Sequence, residues 1–328
     1  MESLIFAFNS VSPIILTVAV GYILKKIRLM SRDFAKSANK LVFLVFLPAM
    51  LFMNVYGIES ISSMNFGYVI YSLVSLLIIF ALAIPSVIVL TDKKNCRGAL
   101  LQGVFRSNYA LIGIPLASSL FPGQGAAVAT LLSAFMVPAF NILAVIGLSI
   151  FNNDGKKPSV KKVLLGIAKN PLIISIAAGL FALVIRTLFV NMSISFRLSS
   201  IPAIWNTMKY LSNIATPLAL LVLGAQFEFS AIPSLKREII SGVVIRSVLV
   251  PLLGIGIAYL AFRDSFDGSQ FAALVAVFCT PVAVSSVPMA QEMGANTELA
   301  GQLVVFTTIT SALTVFFASF LLKLAGIF

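Results

Sequence analysis

Ten long apolar segments restrict what this chain can fold into. Each is about as long as a bilayer-spanning helix, and they cover residues 4–24, 36–55, 66–90, 98–120, 125–151, 169–190, 207–226, 239–262, 270–291 and 299–325. A hydrocarbon core needs roughly 20 apolar residues per helix. Charged residues make up only 10% of the 328 positions, whereas a soluble domain has about a quarter. The sequence therefore predicts an all-α integral membrane protein with ten transmembrane helices.

The distribution of basic residues predicts the orientation. Four basic clusters fall on one side of the predicted bilayer, at residues 25–40, 93–97, 156–169 and 236–237. Because lysine and arginine concentrate in cytoplasmic loops, this side is predicted to be cytoplasmic and both termini to be outside. The net charge of +12 is then an orientation signal, and no nucleic-acid partner is expected. The first segment has its basic cluster on the side opposite to that of a signal peptide, so we expect it to be retained.

A polar linker at residues 152–168 divides the predicted spans into five and five. An odd number of spans in each half makes the second half enter the membrane from the opposite side, as in inverted repeats. The repeats are predicted at 1–151 and 169–328. Pro48 and Pro217, in the second helix of each half, are one of several weak matches between them.

Helices 4 and 9, the fourth of each half, contain proline-rich interruptions. The first reads Asn108-Tyr-Ala-Leu-Ile-Gly-Ile-Pro115, and the second reads Thr280-Pro281-Val-Ala-Val-Ser-Ser-Val-Pro288. Proline removes a backbone donor and clashes with the preceding turn, and irregular backbone at membrane depth requires protein or a cavity around it. We therefore expect both helices to be broken and to cross near the bilayer midplane. Paired breaks of this kind indicate the substrate site of a secondary transporter.

Polar side chains at the two breaks are the candidate substrate ligands. Asn108 can donate to a carboxylate or accept from a hydroxyl, although it could instead be a polar clamp between helices. Thr280, Ser285 and Ser286 are its counterparts, unless they only bond to helix carbonyls. The backbone of the same site is predicted to include Gly113, Pro115, Pro281 and Pro288.

Four further polar residues lie inside or at the ends of predicted spans. Arg106 and Arg246 are intramembrane charges, which are functional candidates by default, for a charge or coupling role. Asn54 and Gln226 could face the site from helices 2 and 7, or could serve only in helix packing. All Asp and Glu residues lie in loops or at predicted helix ends, which disfavours cation antiport through a buried carboxylate.

The sequence lacks the residues that an enzyme active site or a metal site would need. The chain has no histidine, and its two cysteines, Cys96 and Cys279, are isolated. This excludes a Ser-His-Asp triad, and no metal site or cofactor is predicted. The sequence also lacks a Walker A loop, so we do not expect an ATP-driven pump or an enzyme.

The stretch Arg106-Ser-Asn108-Tyr-Ala-Leu-Ile-Gly113-Ile-Pro115-Leu resembles the helix 4 motif of the auxin efflux carrier family, which contains plant PIN carriers and bacterial permeases for carboxylates such as malate. Pro48, Thr216-Pro217 and Pro281 also match, and the resemblance extends over essentially the whole chain. One departure is in helix 9, where Ser286 stands at the usual position of the second proline and Pro288 replaces it. Auxin itself is therefore not a secure substrate.

The resemblance implies a fold and a mechanism. Helices 1, 2, 6 and 7 would form a scaffold that dimerises, and helices 3–5 and 8–10 would form a transport domain moving as an elevator. The substrate carboxylate would sit at the proline crossover, with Asn108 as a ligand. The short linker is typical of bacterial members, which implies the cytoplasmic (inner) membrane and contact with membrane lipid.

We therefore predict an alternating-access carrier of small organic anions. The first alternative is a sodium-coupled organic-anion symporter of the bile-acid-transporter type, since carbonyls and hydroxyls near the breaks could hold sodium. The second is a membrane receptor, which would bind without flux. An intramembrane enzyme is the least supported, because the predicted spans carry no catalytic acid pair, histidine or metal cluster.

Overall fold

The computed structural model describes residues 13, 16–57, 66–151, 165, 168–194 and 196–328. Within these ranges the regular elements are helical, and the only β-type pairing is one isolated bridge. The helices in chain order are α1 (residues 16–26), α2 (Arg32–Tyr56), α3 (Phe66–Leu90), α4a (Lys94–Phe105), α4b (Tyr109–Leu120), α5 (Gly125–Phe151), α6 (Pro171–Asn191), α7 (Pro202–Gln226), α8 (Phe229–Phe262), α9a (Gly268–Phe278), α9b (Ser286–Glu292) and α10 (Thr297–Leu324).

Seven of these helices are long and apolar enough to cross a membrane, namely α2, α3, α5, α6, α7, α8 and α10. The fourth and ninth predicted segments are instead interrupted, so each forms two shorter helices. The chain is thus a multi-pass helical membrane protein. About half of the first predicted segment, 4–24, and most of the linker, 152–168, lie outside the described residues.

The start of α8 differs most from its predicted position. The helix begins at Phe229, whereas the span was predicted to begin at residue 239. The prediction began late because the charged residues of the first helical turns resemble a loop in the sequence. Glu238 is buried there and accepts a hydrogen bond of 2.7 Å from the Thr91 hydroxyl, while its carboxylate lies 3.3 Å from Lys93 Nζ. The hydrogen bond and the ion pair stabilise the buried carboxylate in these first turns, which the hydropathy of the sequence had placed outside the predicted span.

Prolines widen the helices locally. Three π-helical turns each end two residues before a proline: Val42–Phe46 before Pro48, Tyr109–Gly113 before Pro115, and Ile245–Leu249 before Pro251. The proline ring clashes with the carbonyl four residues earlier, and a wider turn relieves that clash. Such turns recur at functional sites, and here one of them begins α4b at the first break.

The helices pack into two groups. In the first, α2 contacts α6 and α7, and α1 packs on α7 with backbones so close that a Cβ on Gly224 would lie 1.9 Å from the Val18 carbonyl oxygen. In the second, the halves of α4 and α9 pack against each other and against α5 and α10. The crossing point of the broken helices therefore lies inside the second group, next to α2.

Charged residues join α1, α2 and the loop between α7 and α8. Lys25 Nζ lies 2.7 Å from Glu228 Oε1, and Arg32 Nη2 lies 3.3 Å from the same oxygen. The hydrogen bond from Lys25, opposed by partial burial, holds the pKa of Glu228 below its ordinary value. Residues of two predicted cytoplasmic ends, those of α1 and α7, thus meet at one place.

Candidate functional site

The two interruptions meet as short segments of extended chain. Ser107 and Val282 form an antiparallel bridge, and the Asn108 N–H donates to the Pro281 carbonyl at 2.8 Å. The Val282 N–H donates to the hydroxyl of Thr307, on α10, at 3.1 Å. Backbone groups released by the helix breaks are thus paired within the protein, as hydrocarbon surroundings require.

A cavity of about 60 Å³ adjoins this crossing. Its wall from α2 is formed by Leu47, Met50, Leu51 and Asn54, and its other walls by residues 106–110, Val137, Phe140, Asn141, Ala283 and Ser285. This volume is well below the roughly 300–1,000 Å³ of typical small-molecule pockets. A metabolite can therefore enter only if the cavity widens, and the face of α2 is the wall that belongs to the other packing group.

Asn108 is a buried ligand candidate with an unused donor. The residue is 8% exposed and lines the cavity, yet its Nδ2 has no hydrogen-bond partner. A buried polar group without a partner costs about 1–3 kcal/mol. The Asn108 amide therefore keeps a donor that is available to a molecule bound in the cavity.

Arg106 supplies an uncompensated positive charge to the same cavity. Its side chain is 1% exposed and reaches only neutral acceptors: Gln102 Oε1 and Asn141 Oδ1 at 2.7 Å, Ser285 Oγ at 2.8 Å, Met289 Sδ at 2.7 Å and Ser286 Oγ at 3.4 Å. No carboxylate of the described residues pairs with it. A guanidinium away from water attracts anions strongly because the surrounding dielectric is low.

Arg246 has a different environment. It is 2% exposed and lies behind the crossing, where it donates to the Thr280 carbonyl at 2.6 and 3.0 Å. Its other acceptors are the carbonyls of Val277, Phe105 and Val104, at 3.2, 3.3 and 3.5 Å. Arg246 is absent from the cavity wall, so its contacts are to helix ends rather than to the candidate substrate space.

The other candidates at the breaks divide between the cavity and its support. Ser285 lines the cavity, whereas Thr280 and Ser286 are buried beside it. The Thr280 hydroxyl donates to the Ala276 carbonyl at 2.8 Å and contacts the Ser107 hydroxyl. Pro281 contributes its carbonyl to the crossing.

Three further candidates shape the helices. Gly113 lets α4b approach α9a, because a Cβ there would lie 2.8 Å from Tyr109 Cδ2 and 3.0 Å from the Ala276 carbonyl oxygen. Pro115 follows the π turn of α4b, and Pro288 is buried in α9b. None of the three lines the cavity.

The two amide candidates from the other helices occupy different places. Asn54 is on the α2 wall of the crossover cavity. Gln226 instead lines a second cavity of about 300 Å³, where its Nε2 donates to Gln291 Oε1, on α9b, at 2.9 Å. That hydrogen bond joins the two packing groups away from the crossing.

Sequence reasoning missed Asn141 as part of the site. This residue of α5 accepts from Arg106 and lines the cavity, but in sequence it resembles any polar residue that packs between helices. Its position one turn after Pro138 was the only local signal. The apolar face of α2 was missed because nothing in its sequence separates a cavity wall from a lipid-facing surface.

Comparison with known families identifies the class of protein. A family model described as "Membrane transport protein" matches residues 6–319, and so covers nearly the whole chain. This match confirms the resemblance drawn from the helix 4 motif. No curated protein matches the chain significantly.

Proposed function

The chain belongs to the membrane transport protein family of the auxin efflux carriers, and from this premise we propose that it carries small organic anions across the membrane by alternating access. The substrate class is a carboxylate, such as malate or an auxin-like acid. The observation that carries the proposal is that the Arg106 guanidinium and the Asn108 amide, which has no hydrogen-bond partner, both line one cavity.

Each group has a distinct part in holding a carboxylate. Arg106 supplies the charge, because its present partners are neutral and leave its positive charge uncancelled. Asn108 supplies a neutral donor that fixes orientation. The first N–H groups of α4b lack partners within the helix and add partial positive charge next to Ala110, which lines the cavity. An anion gains from all three, whereas a cation would be repelled.

The packing supports an elevator-type motion. In the proposal, helices 1, 2, 6 and 7 form the scaffold, and helices 3–5 and 8–10 form the transport domain. The contacts of α2 with α6 and α7, and of both broken helices with α5 and α10, fit this division. The two domains are built from inverted repeats at 1–151 and 169–328, giving ten spans in total.

Further parts of the proposal rest on the resemblance and the charge pattern. The protein resides in the bacterial cytoplasmic membrane as a homodimer, with both termini outside and the 152–168 linker in the cytoplasm. Substrate passes when the transport domain slides along the α2 face and widens the small crossover cavity. No observation supports the bile-acid-type sodium symporter.

Solid-supported-membrane currents from purified protein in liposomes test the proposal. The panel contains malate, other dicarboxylates, monocarboxylates and indole-3-acetate, and the variants are Asn108→Ala and Arg106→Gln. Asn206→Ala, an exposed position on α7, is the matched control. We expect carboxylate-evoked currents that both site variants abolish or weaken and the control retains.

Two outcomes would count against the proposal. Currents that survive in both site variants would show that the substrate binds away from the crossing. If no anion evokes a current, radiolabelled counterflow tests for electroneutral exchange, and absence of counterflow with folded protein refutes carboxylate transport.

A further inference from the structure

Arg246 occupies a place where carbonyl oxygens from two broken helices converge. It lies in α8 and bonds to Val104 and Phe105 at the end of α4a, and to Val277 and Thr280 at the end of α9a. The acceptors are backbone oxygens, which are ligands that sodium also uses in transporters with broken helices. The described residues thus contain a cation site whose occupant is a side chain.

The charge balance explains how this arginine is tolerated without an acid. Each helix C-terminus carries roughly −0.5 elementary charge, so the ends of α4a and α9a together supply roughly −1 against the guanidinium. The planar group also satisfies carbonyls that the helix breaks leave without intrahelical donors. Arg106, by contrast, has only side-chain acceptors and keeps its charge free.

We propose that Arg246 is a built-in cation, which holds the two half-helices together in place of a bound monovalent ion. Among the described residues the crossing then keeps no vacant carbonyl site at this place for sodium, and we expect transport not to depend on a sodium ion bound there. This consequence rests on the proposed transport function, whereas the structural role of the charge does not. Removing the side chain should open a site that small cations can enter.

The test measures thermal stability of the purified full-length chain. The variant Arg246→Ala is melted in choline chloride, in sodium chloride and in choline chloride with low millimolar guanidinium, all at equal ionic strength. The matched control is Arg263→Ala, an arginine at the end of the same helix that is exposed and lies beside Asp264. We expect sodium or guanidinium to raise the melting temperature of Arg246→Ala by about 3 °C or more, with no such shift in the wild type or in Arg263→Ala.

A second pair of variants covers the case in which Arg246→Ala does not fold. Arg246→Lys keeps the charge, and Arg246→Met keeps an unbranched apolar chain without it. We expect the lysine variant to melt well above the methionine variant, because only the former can neutralise the helix ends. Equal melting temperatures for the two would overturn the proposal.

Two further results would also overturn it. One is stabilisation of the wild type by sodium over choline, which would show a cation site that Arg246 does not fill. The other is a folded Arg246→Ala that responds to no cation. Failure of carboxylate transport would refute the proposed function, but it would not alter these melting temperatures.

Discussion

Replacement of Asn108 tests whether this residue is a substrate ligand or a polar clamp between helices. Its Nδ2 donates to no group of the protein, so Asn108→Ala should leave the apparent melting temperature unchanged or slightly raised. A hydrogen bond to a charged acceptor contributes about 1.5–3 kcal/mol. Loss of that bond to a carboxylate should weaken binding about 10- to 150-fold.

The substitution Asn108→Asp makes the test sharper at nearly constant volume. A fixed negative charge 4–8 Å from a bound carboxylate would repel it by about 2–4 kcal/mol at an effective dielectric of 20, so binding should weaken by a further factor of at least about 30.

Scanning fluorimetry measures the melting temperature, and the substrate dependence of liposome currents measures the apparent affinity. Both are measured on the same preparations, with Asn206→Ala as the control. The reasoning is refuted if Asn108→Ala melts well below the wild type and keeps its affinity, since that pattern belongs to a packing clamp.

Three other predictions concern the residues that support the site and the ion pairs of Glu228. Gly113→Ala should lower stability by about 1–3 kcal/mol through overpacking, whereas Gly256→Ala, where a Cβ meets nothing within 4 Å, should not; melting temperatures compare them. Thr307→Val should lower the free energy of unfolding by about 1–3 kcal/mol because it leaves the buried Val282 N–H unpaired, and Thr307→Ser should retain most of it; an equal loss in both would contradict the hydrogen bond. The hydrogen bond from Lys25 keeps the pKa of Glu228 below its ordinary value. The pair therefore stabilises the folded protein fully at a pH above that ordinary value, and this contribution is lost as the pH falls through the lowered pKa. Glu228→Gln should flatten this part of a plot of melting temperature against pH.

The break in helix 9 could be placed from the sequence because proline acts locally, and Pro281 lies inside the irregular segment between α9a and α9b. Pro115 gave the position of the other break less closely: it lies within α4b, whereas the chain leaves the helix at residues 106–108. Asn108 followed from its distance to Pro115, which places it at the start of the second half-helix. The resemblance to the helix 4 motif pointed to the same residue.

The partners of the arginines could not be predicted because they are distant in sequence or belong to the backbone. Asn141 reaches Arg106 only after α5 packs against the crossing. The acceptors of Arg246 are carbonyls, which every residue has, so no pattern of side chains reveals them.

The two buried arginines differ in how much of their charge the surrounding groups neutralise. Both helix ends that point at Arg246 are negative, and their sum roughly equals its charge. Arg106 lies at the same crossing, but its acceptors are neutral side chains that orient the guanidinium without cancelling it. The side chains and the two C-termini therefore leave an excess of roughly one positive charge, to which the N-terminus of α4b adds a partial charge, and this excess is located at the cavity rather than behind it. A monocarboxylate at Asn108 would cancel that excess, and a second carboxylate group would need further donors. Among the proposed carboxylates we therefore expect those with a single anionic group to bind best at the crossing, with the rest of the substrate lying along the apolar face of α2.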